Sequence, residues 1–244
     1  MSLNKKLFWS GLGWAFGGPI GAIFGYTIAS LSDEKSNSWL NSGHENSNRS
    51  VTKPADFIVS ILVLFAKVMK ADGQLLKSEL DYVKQFLKQQ FGLQRTKELM
   101  PILKDILDQD YPLKDVCRQI QRSMDHPSRL QLVHVLFGLS AADGHVHENE
   151  IKIILTISNY LNINRNDFES IKAMFFDNKE SAYKILEIST EASDGDLKKA
   201  FRKMANKYHP DKVSHLGKEM QALAEEKFKA VNDAYQKIKK ERGI

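Results

Sequence analysis

The residues best placed by type and spacing to do chemistry are His209, Pro210 and Asp211, flanked by Tyr208 and Lys212. An imidazole and a carboxylate two residues apart, with the backbone stiffened between them by proline, can do acid–base work or recognise a partner. Acid–base work needs a reacting group beside them, and no Ser/His/Asp or Cys/His constellation accompanies the loop. Taken alone, the three residues read as a solvated turn. As a recognition loop, Asp211 would offer a carboxylate to a basic group, Pro210 would lower the ordering cost of the turn, and His209 would orient it through hydrogen bonds. Just before the loop, Lys198, Lys199, Arg202, Lys203 and Lys207 share the polar face of one predicted helix. Such a stripe is ordinarily a solvated face; beside a recognition loop it steers association with an acidic surface and makes it salt-sensitive.

Four carboxylates form the other candidate set. Asp72 and Glu79 are seven apart, and so are Asp143 and Glu150, each pair beginning at the aspartate of an Ala-Asp-Gly turn. Converging side chains of this kind suit a hard divalent cation. The same residues also suit a purely structural role, with Gly73 and Gly144 in left-handed turns and the acids capping the helices that follow. No twelve-residue calcium loop is present, and His145-Val146-His147 is too little for zinc.

The elements around these residues have helical period throughout, so the fold is expected to be all-α. Leu197, Ala200, Phe201, Met204, Ala205 and Tyr208 recur at three and four, and Pro210 ends that helix. Leu223, Phe228, Val231, Ala234, Tyr235 and Ile238 mark the next, giving an antiparallel hairpin with the loop at its tip. Upstream, nearly apolar helices from Phe57 to Met69 and from Leu130 to Leu139 belong at the centre of a bundle. Each leads into an Ala-Asp-Gly turn and an amphipathic helix, an internal repeat. Helices over Thr96 to Leu107 and Leu113 to Met124 lie between the repeats, and Asn166 to Phe176 closes the bundle.

These segments carry a resemblance. Ala182 to Ile188, Ala200 to Tyr208, His209-Pro210-Asp211 and Lys227 to Tyr235 resemble, in order and spacing, the first helix, second helix, loop and third helix of the J-domain family. The Ala-Asp-Gly repeat resembles the TerB-like helical fold. With an apolar segment first, the order resembles that of DjlA-type co-chaperones. The resemblance implies a non-enzymatic partner of a DnaK-type ATPase, without cofactor, that stimulates hydrolysis. It carries partner binding to His209, Pro210 and Asp211, and to Arg202, Lys203, Lys207 and Lys199 on the second helix. Nothing after the third helix resembles the glycine/phenylalanine-rich or zinc-binding modules of longer members. The alternative is a metal- or stress-sensing membrane adaptor acting through the TerB-like domain.

Composition is that of a globular protein, 42% hydrophobic and 27% charged over 244 residues. A net charge of +5 and a pI of 9.1 are too mild to argue for nucleic acid. Cys117 is the single cysteine, so no internal disulfide forms, which suits a reducing compartment. Leu7 to Leu31 carries no charge and is long enough to cross ~30 Å of hydrocarbon as a helix. Gly13, Gly17, Gly21 and Gly25 fall every four residues on one face, a pattern for close helix packing and homodimerisation. Read against a cleaved signal peptide, the long glycine-rich run favours an anchor. The expected organisation is thus a membrane anchor over 1–31, a Ser/Asn-rich linker over 32–54, a TerB-like domain over 55–176 and a J domain over 181–244. The flanking Lys and Arg do not decide orientation. The J-domain resemblance implies that the bulk of the chain lies on the cytoplasmic side of the inner membrane, with the partner chaperone and ATP.

Overall fold

The computed structural model describes residues 19–23 and 54–244, apart from 72, 74, 145 and 177–179. All regular elements among these residues are helical, as the periodicities imply. They are α1 (Pro54–Met69), α2 (Lys77–Leu107), α3 (Leu113–Ser123), α4 (His126–Ser140), α5 (Glu148–Tyr160), α6 (Arg165–Ala173), α7 (Ser181–Ile185), α8 (Asp194–Lys207), a 3-10 helix (Pro210–Leu216) and α9 (Lys218–Arg242). None is long and apolar enough to cross a membrane. The anchor expected over residues 7–31 lies outside the described residues, apart from a helical turn at 19–23.

Chain contacts divide the molecule into two compact units, ending and beginning at Asp125 and His126. The division falls inside the stretch expected to form one TerB-like domain. In the first unit α1 packs on α2 and α3. Ile61 to Ala66, Val68 and Met69 are all buried, because α1 is apolar around most of its circumference. Phe65 meets Phe86 edge-on at 5.6 Å, and Tyr111 donates its hydroxyl to the Val63 carbonyl at 2.6 Å. Gly92 adopts φ 79° and breaks α2 into two helical segments.

In the second unit α4 packs on α5 and α6, α6 on α7, and α7 and α8 on α9. Phe137 of α4 sits 5.4 Å from Phe168 of α6. Leu186, Leu197, Met204, Val231 and Ile238 build the core of the C-terminal hairpin, and Phe201 stacks on Tyr235 at 4.3 Å. Arg242, in the last turn of α9, donates to the carbonyls of Thr190 and Ala192 and to Asp194. The two repeat turns match in detail. Gly73 has φ 78° and Gly144 φ 84°, and each donates its amide to the carbonyl three residues back. After each turn a glutamate in the first helical turn, Glu79 or Glu150, accepts the amide three residues before it, from Leu76 at 3.0 Å and His147 at 2.9 Å.

Candidate functional site

Helix α8 starts at Ser193, whose hydroxyl accepts the Asp196 amide at 3.1 Å. Its apolar face buries Leu197, Ala200 and Met204, and Tyr208 at its end is buried too. Rotation by a helical period then puts Lys198, Lys199, Arg202 and Lys203 in solvent. Pro210 cannot donate to the ladder, so α8 stops. His209 is extended at φ −60°, ψ 131°, and Pro210 opens the 3-10 helix. His209 Nδ1 accepts the Asp211 amide at 3.3 Å, which makes this nitrogen the acceptor and leaves Nε2 to carry the proton. The imidazole edge faces Phe228 of α9 at 5.8 Å. Asp211 remains 75% exposed, within 3.5 Å of Gln221 Nε2. The loop therefore presents a carboxylate to solvent on a frame fixed by His209, Pro210 and α9.

Lys207 departs from the sequence expectation. The helical wheel sends it to solvent beside Lys203, yet its side chain is only 18% exposed. Its ammonium lies between Asp167 of α6 and Glu187, which follows α7. Asp167 is 1% and Glu187 6% exposed. Lys203 also reaches Glu187, at 2.8 Å, from a side chain still 66% exposed. Asp167 accepts from more than one group: His126 Nε2 is 3.2 Å from Oδ2, and Asn164 Nδ2 donates to the same oxygen at 3.2 Å. Burial pushes the Asp167 carboxyl up, but hydrogen bonds from His126 and Lys207 and the Lys207 charge outweigh it and hold it well below the usual range. Glu187 takes up a left-handed backbone, φ 57°, and this turn aims its carboxylate back at α8.

The other side of the loop is also packed. Val213 and Leu216 of the 3-10 helix are buried, and His215 Nε2 lies 3.3 Å from the Ser128 hydroxyl of α4. Behind them Lys227 of α9 is buried at 2% exposure. Its ammonium stands 5.3 Å from the Tyr208 ring centroid. Burial brings this lysine from 10.5 down to about 7. On α4, His134 is held neutral by burial and by the Lys227 charge, and its ring packs 4.9 Å from Phe175.

Asp167, Glu187, Lys227 and His134 are absent from the residues that the sequence singles out. Asn164 caps α6, which begins one residue before the expected Asn166, and Asp167 donates its amide to the Asn164 side chain at 2.9 Å. Nothing local to it announces Lys207, 40 residues away. Among the carboxylates considered for a metal, Glu79 and Glu150 serve as the caps described above, and Asp143 lies 4.0 Å from His147. Asp72 and His145 lie outside the described residues, as do Gly13, Gly17 and Gly25, while Gly21 falls in the turn at 19–23. Among the described residues no group of three or more His, Cys, Asp or Glu side chains is placed to hold a metal ion.

Comparison with known proteins assigns two family matches. Residues 59–173 match the tellurite resistance protein TerB family, and residues 181–243 match the DnaJ domain. Curated proteins similar to the chain include the co-chaperone protein DjlA of Haemophilus influenzae, 22% identical over all of this chain and 99% of its own length. That of Photorhabdus laumondii is 26% identical over 77% of this chain and 80% of its own. The Vibrio cholerae protein of the same name is 26% identical over 78% and 79%. No solved structure matches the chain.

Proposed function

We propose that this chain, a J-domain co-chaperone of the DjlA type with a TerB domain ahead of its DnaJ domain, binds a DnaK-type chaperone and stimulates its ATPase. The observation that carries this is the placing of Asp211, solvent-facing and framed by His209 and Pro210, directly after the basic helix α8. Arg202, Lys203 and Lys199 supply a positive face that accelerates encounter with an acidic partner. Asp211 then pairs with a basic group on the chaperone, in a complex whose specificity comes from the rigid loop. In this reading the chain biases its partner between conformations by binding one better than the other, and does no covalent chemistry itself.

The test is single-turnover ATP hydrolysis by a DnaK-type chaperone with the full chain in detergent. The wild type accelerates hydrolysis and His209→Gln does not; equal acceleration by the two removes the reading.

The uncharged run over residues 7–31 supports a single-pass anchor in the inner membrane, with the remainder in the cytoplasm where such a chaperone and ATP are available. The face formed by Gly13, Gly17, Gly21 and Gly25 supports a homodimer of anchors. Release of the chain from membranes by alkaline carbonate would sink the anchor. Crosslinking unaltered in Gly17→Leu/Gly21→Leu would sink the dimer.

A further inference from the structure

The end of the basic helix nearest the loop is not free. Lys207 sits between Asp167 and Glu187, and Asp167 belongs to α6, in the stretch that matches TerB. Across the loop, the start of α4, also in that stretch, covers the 3-10 helix through Ser128 and His215. Pro127 and Leu130 close over Tyr208, Val213 and Lys227, leaving a cavity of only about 10 Å³, room for at most one water. The surface opposite Arg202 carries no such cover: Lys198, Lys199 and Arg202 remain in solvent. The cover is therefore local to the junction between helix and loop.

We propose that α6 and the start of α4 form an autoinhibitory cap on the J domain, with Asp167 holding Lys207 in a closed form that competes with the chaperone. This rests on the co-chaperone reading above and adds to it a condition for engagement. Arg202 and Asp211 are available in the closed form and make the first encounter. Lys207 becomes available only when it leaves both Asp167 and Glu187, and Glu187, which lies in the J domain itself, keeps Lys203 when it does. A competing intramolecular pair reduces apparent affinity by the fraction of molecules that are open. Neutralising Asp167 removes the attraction while keeping the side chain's size and its place beside Asn164, so the open fraction rises.

The experiment titrates the full chain against a DnaK-type chaperone and reads the concentration giving half-maximal ATPase stimulation. Asp167→Asn is expected to lower that concentration by about tenfold, with maximal stimulation unchanged. A half-maximal concentration equal to or above that of the wild type, from a variant that melts as the wild type does, overturns the cap and leaves the co-chaperone reading standing. A His209→Gln chain that stimulates like the wild type overturns both. A second measurement needs no variant: amide hydrogen exchange of the wild type with and without saturating ATP-bound chaperone. The cap predicts faster exchange over residues 164–173 and 126–131 in the complex. Unchanged or slower exchange there overturns it, whether or not Asp167→Asn folds.

Discussion

Lys227 offers a direct test of how the second unit is held together. Its ammonium is buried between α9, the end of α8 and α4. The groups facing it are the Tyr208 ring and, on α4, His134, which its charge helps keep neutral. Lys207, His209 and Lys212 line the same small cavity, and no carboxylate does. Burial brings Lys227 from 10.5 to about 7, and each tenfold step in proton affinity is worth about 1.4 kcal/mol. Holding the charge below pH 7 therefore costs the fold up to about 5 kcal/mol, partly offset by about 1 kcal/mol from the Tyr208 ring. Between about pH 7 and 10.5 the unfolded chain binds the proton and the folded chain does not, so stability rises with pH across that window. Lys227→Met keeps the volume and removes the charge. We expect it to stabilise the protein at pH 6.5 by about 2–4 kcal/mol, and to lose that advantage progressively by pH 10. Thermal unfolding of wild type and variant from pH 6.5 to 10 reads this as a difference in Tm on the order of 10 °C at the acid end. A variant less stable than wild type at pH 6.5, or a difference that does not shrink as pH rises, would refute the reasoning.

Two further predictions concern the exposed helix and the repeat turns. Arg202→Ala leaves the fold intact because the side chain is in solvent; it should slow association with the chaperone several-fold and flatten the salt dependence, read by stopped-flow at two ionic strengths. Glu150→Gln weakens the bond to the His147 amide and should cost about 0.5–1 kcal/mol. Its melting temperature should fall equally with magnesium and with chelator, and a loss seen only with the metal would favour a cation site.

What the sequence makes legible is local. The helical periods, the stop at Pro210 and the paired turns at Gly73 and Gly144 follow from neighbouring residues, because capping, φ preference and a missing N–H act over a turn or less. Lys203 and Lys207 look equivalent on a helical wheel, four residues apart. The structure separates them because Asp167 and Glu187 arrive from elsewhere in the chain. Lys227 looks like one more surface lysine in a run with Lys229, and it is buried only because α4 covers that flank. The break between Asp125 and His126 has the same origin. It depends on where the apolar faces of α4 and α6 find partners, which periodicity alone does not state.

The first turn of α6 has a consequence for reversibility. Removing one partner of a buried ion pair usually strands the other, at about 3–5 kcal/mol. Asp167 would not be stranded. With Lys207 gone, its carboxylate still accepts from Asn164 Nδ2 and stands beside His126, at the positive end of the α6 dipole. Glu187 likewise keeps Lys203. Lys207 itself passes to water or to a new carboxylate. Both sides of the contact thus have somewhere to go, and a clasp of this kind can open and shut many times without either half losing its shape.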